Sequence, residues 1–92
     1  MPDKITLFTF PSTFQALRAE KAIQAAGLKG RLIPMPRELS SLCGLALELD
    51  SDLAGEGLAI LKNNGIKLEK QVQMLKKPGY LKTIDIIEYE AH

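Results

Sequence analysis

The most distinctive chemistry in this 92-residue sequence belongs to its one cysteine, Cys43. It follows a polar loop that begins at Pro36, and it immediately precedes Gly44. A thiol attacks as its thiolate, and nearby positive charge favours that form. Arg37, in the same loop, could supply this charge, although an ion pair with Glu38 or another carboxylate would also account for it. Because free cysteines are usually small buried hydrophobic residues, a packed and inert Cys43 is the other interpretation.

Few other residues of the sequence could share chemistry with Cys43. The only histidine, His92, is the last residue, so we expect no Cys–His catalytic pair, no metal site and no cofactor within one chain. Gly55 and Gly57 fall within a predicted helix and not between a strand and a helix, which makes them a poor phosphate loop. Glu48 and Asp50 are interpreted as surface carboxylates of a strand.

Composition narrows the class of protein. A net charge of +1 argues against nucleic acid as a partner, and no apolar run is long enough to cross a membrane. The N-terminus leads directly into a strand, without the pattern of a signal peptide. One cysteine and no secretion signal favour the cytoplasm. Residues 62–82 carry six lysines against one glutamate, which indicates a solvated surface or, alternatively, a contact with an acidic partner.

The elements that must position Cys43 follow from the hydrophobic pattern. Strands are predicted at 4–10, 31–35, 44–50 and 66–76, and helices at 13–26 and 52–64. Ser12 and Gln15 fit a capping box, and Leu17 is counted in the apolar stripe of the first helix. The strand at 66–76 is predicted to place Ile66, Leu68, Val72 and Met74 on one face.

The order βαββαβ predicts an α+β fold, the ferredoxin-like sandwich, with two helices on one face of an antiparallel sheet and strand order 4-1-3-2. Pro34 places its strand at an edge. The domain is predicted to span residues 1–78. In the extension 79–92, residues 81–89 could form a fifth strand or an arm that meets another subunit, which makes a homo-oligomer possible. In this fold the Cys43 loop lies at the end of the sheet where the first helix begins, close to Ser12 and Thr13.

The motif around the cysteine resembles a known family. Residues 34–47 read P-M-P-R-E-L-S-S-L-C-G-L-A-L, and residues 10–13 read F-P-S-T. Together they resemble the bacterial family named Putative Se/S carrier protein-like, over about residues 5–74. The resemblance implies a role in handling sulfur or selenium. It implies these site residues: Pro36, Arg37, Ser40, Ser41, Cys43 and Gly44, with Ser12 and Thr13 in support.

Two hypotheses of function follow. In the first, Cys43 accepts sulfur or selenium from a donor protein, holds it as a persulfide or selenosulfide, and passes it to an acceptor protein. With no second cysteine, release needs a thiol from another molecule, so this protein would be a carrier more than a stand-alone enzyme. In the alternative, the 36–44 loop binds a small anion or a protein in a non-catalytic regulatory module, and Cys43 only packs.

Overall fold

Two helices and five strands make up the protein in a computed structural model that describes residues 4–35, 43–77 and 80–89. The elements are β1 (Lys4–Thr9), α1 (Thr13–Ala25), β2 (Arg31–Pro34), β3 (Leu45–Asp50), α2 (Ala54–Asn63), β4 (Lys70–Lys77) and β5 (Tyr80–Glu88). A single 3-10 turn, Ser51–Leu53, leads from β3 into α2. Neither described helix has the length and apolar character needed to cross a membrane.

The strands form one antiparallel sheet in the order β2-β3-β1-β4-β5. β1 is the central strand, and Thr9 near its end lies opposite Ala46 of β3 and Lys70 of β4. Strand β2, which contains Pro34, lies at an edge, where its missing N–H removes no bond from the ladder. The protein is therefore an α+β fold, and its strand order is compatible with the ferredoxin-like sandwich expected from the sequence.

Both helices pack on one face of the sheet. The core on this face contains Phe8 of β1 and Phe10, which follows β1. Both belong to one cluster with side chains of β3, α1 and α2. These side chains are Leu47 and Leu49 from β3, Ala16, Ala19 and Ile23 from α1, and Leu61 from α2. Two of the three α1 residues in this core are alanines, and their small side chains leave room for the phenylalanine rings between the helix and the sheet.

The opposite face of the sheet has an apolar cluster of its own. Ile5 and Leu7 of β1 pack there with Val72 and Met74 of β4 and with Ala46 of β3. Leu7, Val72 and Met74 have no exposed surface. β1 therefore contributes buried side chains to both faces, which is the pattern expected of a central strand.

The prediction of one strand over residues 66–76 is wrong. β4 begins at Lys70, and Ile66 and Leu68 belong to the helix-side core, whereas Val72 and Met74 face the other side. Gly65 takes a φ of +68°, and the N–H of Ile66 then donates to the carbonyl of Leu61, which folds this segment back onto α2. The sheet ladder begins only where the N–H of Glu69 donates to the carbonyl of Thr9.

The fifth strand forms on the chain's own sheet. β5 pairs with β4 from Tyr80 opposite Lys77 to Glu88 opposite Lys70. The register shifts between Gln73 and Met74, where Ile84 is an extra residue in β5. The boundary at residue 78 and the homo-oligomer stay predictions.

Candidate functional site

Cys43 lies where the chain re-enters the sheet after the β2–β3 connection. The N–H of Met35 donates to the carbonyl of Gly44 at 2.9 Å, and Pro34 pairs with Leu45 in the ladder. Four of the sequence-predicted site residues, Pro36, Arg37, Ser40 and Ser41, lie outside the described residues, so their roles stay predictions.

The sulfur of Cys43 contacts the main chain of Leu45 on two sides. The Leu45 N–H points at Sγ with an N···S distance of 3.4 Å, and Sγ lies 3.3 Å from the Leu45 carbonyl oxygen. A thiol can donate to that carbonyl, whereas an anionic sulfur can accept from the amide. Cys43 is partly buried as a residue and packs against the helix-side core.

Gly44 has a conformational role beside the cysteine. Its φ of +74° lies in the left-handed region, which glycine occupies without steric cost. A Cβ at this position would meet no atom of the described residues within 4 Å, so the backbone conformation and not a close approach favours glycine here. The turn at Gly44 is what brings the Leu45 amide within reach of Cys43 Sγ.

The N-terminus of α1 lies at the same end of the sheet as Cys43. β1 and β3 are antiparallel with Thr9 opposite Ala46, so β1 finishes at the end of the sheet where β3 begins. α1 starts just beyond that end. Ser12 caps this helix, since its Oγ accepts the N–H of Gln15 at 3.3 Å. Ser12 and Thr13 are both exposed, and any action of theirs on Cys43 stays a prediction.

The C-terminal end of α2 is tied to the same end of the molecule. The Arg18 guanidinium donates to the carbonyl of Asn64 at 3.0 Å, and Gln15 Oε1 accepts the N–H of Lys67 at 3.4 Å. The Gln15 side chain therefore bonds to the chain after α2 and does not close the predicted capping box. These contacts fix the first turns of α1 against the end of α2.

Comparison with known proteins places this chain in a family. Residues 6–73 match the family described as Putative Se/S carrier protein-like. The chain belongs to this family. The span shared with the family begins within β1, includes both helices and Cys43, and ends within β4. A relative is the Uncharacterized protein YtiA of Escherichia coli (strain K12), 44% identical over 43 residues, which are 47% of this chain and 51% of the relative. The chain thus spans about half the length of this curated relative. No solved structure matches this chain.

Among the described residues, metal ligands do not gather around the cysteine. In residues 4–35, 43–77 and 80–89, no group of three or more His, Cys, Asp or Glu side chains is arranged to hold a metal ion. In this part of the chain the candidate chemistry is that of a single sulfur atom to which the Leu45 amide is directed.

Sequence reasoning missed two exposed apolar residues at the cysteine end of this family member. Phe14 is 66% exposed and Leu17 is 53% exposed, so the assignment of Leu17 to the buried stripe is wrong. The buried face of α1 is formed by Ala16, Ala19 and Ile23. Helical geometry gives the reason, because Leu17 lies about 100° around the axis from Ala16. The signal was available in the contrast between small residues at the buried positions and large ones beside them.

Proposed function

We propose that this protein is a sulfur or selenium carrier and that Cys43 Sγ accepts the transferred atom. The observation that carries the proposal is a partly exposed Cys43 whose Sγ has the Leu45 N–H directed at it, in a chain that belongs to the carrier-like family. Hydrogen bonds from main-chain amides stabilise anionic sulfur, and a bond to a charged acceptor contributes about 1.5–3 kcal/mol. The proposal requires that a donor molecule reach the sulfur through the exposed part of this residue.

The proposed reaction is a transfer between thiols without net oxidation. The Cys43 thiolate attacks the terminal sulfur of a donor hydropersulfide, R–S–SH. The S–S bond of the donor breaks, a new S–S bond forms on Cys43, and the donor leaves as its thiolate. The reverse attack, by an acceptor thiolate on the terminal sulfur of Cys43–S–SH, returns Cys43 to its thiolate. With selenium, the intermediate is Cys43–S–SeH.

A single cysteine suits a carrier that needs a second molecule for each step. Cys43 is the only cysteine of the sequence, so it has no internal partner for a disulfide. A persulfide on Cys43 is therefore protected from release as an internal disulfide and leaves only to an external thiol. We expect this protein to act between a donor protein and an acceptor protein, as a carrier and not as a stand-alone enzyme.

The direct test is the intact mass of the native protein after exposure to sodium polysulfide. We expect the mass to increase by one sulfur atom, to return to its original value with a thiol reductant, and to stay unchanged in Cys43→Ser. A matched pair of variants tests the predicted role of Arg37. Arg37→Ala is expected to slow loading, whereas Arg31→Ala is not, because Arg31 is an exposed edge-strand residue paired with Glu48 at 3.4 Å.

One observation favours the alternative of a regulatory module with a packed cysteine. Cys43 contacts the helix-side core, and its Sγ is within bonding distance of the Leu45 carbonyl. If Cys43 stays unmodified in the native protein and gains sulfur only in denaturant, the carrier function is wrong. The 36–44 loop would then be examined as a binding element in its own right.

A further inference from the structure

The first turns of α1 present an apolar patch to solvent, which we define as Phe14 and Leu17. The two residues are three positions apart, so they are neighbours on the helix surface. More than half of each side chain is exposed, in a helix whose other large apolar residue, Ile23, has no exposed surface. Adjacent exposed apolar side chains are a common mark of a contact surface.

The apolar patch lies beside the end of the molecule that carries Cys43. Glu20 and Gln24 share a helical stripe with Leu17, and both bond to the β2 edge. Glu20 Oε2 accepts the N–H of Leu32 at 2.9 Å, and Gln24 Nε2 donates to the carbonyl of Gly30 at 3.4 Å. Leu17 lies one turn closer to the start of α1. It therefore faces the side of the helix along which β2 runs toward the β2–β3 connection, and this connection leads to Cys43.

Among the described residues, three basic side chains lie close to the patch. Arg18 lies over the ring of Phe14, with Cζ 5.8 Å from the ring centroid, and Lys21 is exposed one turn further along α1. Lys67 is exposed and adjoins the first turn of α1 through its bond to Gln15. The first turn of α1 has no acidic residue. The nearest carboxylate on the helix, Glu20, is engaged by the Leu32 amide.

We infer that the Phe14–Leu17 patch is the docking surface for the protein that exchanges sulfur with Cys43. The inference rests on the proposed function, because a carrier with one cysteine must bring a partner's sulfur against its own. The partner required by this surface carries an apolar side chain and carboxylates around its cysteine. Opposite charges of this kind accelerate encounter and orient the two surfaces.

Two synthetic peptides test the inference on the full chain. Each contains one cysteine, activated as its 2-pyridyl disulfide, between leucines, and the flanking residues are glutamates in one peptide and lysines in the other. The Cys43 thiolate attacks the peptide sulfur, a mixed disulfide forms, and pyridine-2-thiolate leaves. Its absorbance gives the rate. Dipyridyl disulfide, which has no peptide to dock, measures the intrinsic reactivity of Cys43.

We expect the glutamate peptide to react about tenfold faster than the lysine peptide at low salt, with the difference lost at high salt. Phe14→Gln and Leu17→Gln should lower the ratio of the glutamate-peptide rate to the dipyridyl disulfide rate severalfold. Ile84→Thr is the matched control, because it removes an exposed apolar residue from β5, and this ratio should not change.

The outcomes separate the inference from the proposed function. Equal ratios for both peptides, or ratios that do not respond to Phe14→Gln and Leu17→Gln, overturn the docking surface while Cys43 reactivity stands. If native Cys43 is inert toward dipyridyl disulfide and the peptides alike, the proposed function is overturned, and the docking surface with it.

Discussion

Tyr89, the residue after β5, joins the end of the sheet to the helix-side core. Its hydroxyl donates to Gln71 Oε1 at 2.6 Å, and its N–H donates to the carbonyl of Glu69 at 3.0 Å. The ring packs against the core that the helices cover. Burial raises the pKa of the Tyr89 phenol above its ordinary value of 10.0, because the phenolate would lose solvation there.

The raised pKa of Tyr89 makes stability depend on pH in the alkaline range. The folded protein holds the phenol proton more tightly than the unfolded chain, so this contribution is fully present below the unfolded pKa of about 10. It is lost as the pH rises through the higher folded pKa. We expect urea unfolding to show the advantage of wild type over Tyr89→Phe shrinking across this range. An advantage that is constant with pH would contradict the assignment.

At the residue scale, the sequence singled out candidate residues for chemistry, which stay predictions, but it did not predict their contacts. Cys43 and Gly44 stood out by type and spacing. The Leu45 amide did not, because its approach to Sγ depends on the φ of +74° at Gly44 and involves no distinctive side chain. The assignment of Leu17 failed because a stripe read from spacing alone does not rank alanines against leucines for the buried side.

Helix α2 contains two glycines with opposite surroundings. A Cβ at Gly55 would meet no atom of the described residues within 4 Å, whereas a Cβ at Gly57 would lie 2.6 Å from Leu49 Cδ1 and 3.6 Å from Ile23 Cδ1. Gly57 is buried where α2 crosses the sheet, and Leu49 is itself fully packed. The close approach of this helix to the sheet therefore depends on Gly57 alone of the pair.

The two glycine-to-alanine variants should change stability in opposite directions. Gly55→Ala should raise the free energy of unfolding by about 0.5–1 kcal/mol, because alanine loses less backbone entropy in a helix. Gly57→Ala gains the same amount but overpacks the core, which typically costs about 1–3 kcal/mol, so we expect a net loss of about 1 kcal/mol. Urea unfolding of both variants measures the difference. A stabilised Gly57→Ala would show that Leu49 moves aside freely.

At the element scale, sequence periodicity located every strand and helix, and the errors lie at boundaries. The predicted helix at 13–26 matches α1 to within one residue, because Ser12 and Gly27 mark its two ends. The segment 66–76 was misread because its apolar residues keep the same spacing while they serve two different faces. Only the turn at Gly65 and the bond from Glu69 to Thr9 separate them, and spacing reports neither.

At the scale of the whole molecule, β5 pairs with the outer side of β4, so that β4 is not an edge strand. The family match ends at residue 73, yet the sheet continues through β4 and β5. Val72 and Met74 have no exposed surface although they belong to the last strand but one. The sequence left open a fifth strand or an arm that meets another subunit, and the spacing of its residues could not reveal the bulge at Ile84.

A chain that ends at Lys77 should be much less stable than the whole protein. Removing β5 deletes the β4–β5 ladder, turns β4 into an edge strand, and uncovers one flank of Val72 and Met74. Exposing a buried apolar side chain costs about 1.5–3 kcal/mol, and marginal stability is only about 5–15 kcal/mol.

The controls for this truncation keep the main chain of β5 and change only its exposed side chains. Ile86 and Ile87 are 44% and 45% exposed, so Ile86→Thr and Ile87→Thr should each lower stability by only about 0.5 kcal/mol. Thermal and urea unfolding, followed by far-UV circular dichroism, compare the three variants with wild type. If the truncated chain unfolds at the same urea concentration as the two threonine variants, β5 is an appendage. A large loss in the truncated chain alone would show that the backbone ladder of β5 completes the fold that holds Cys43 in place.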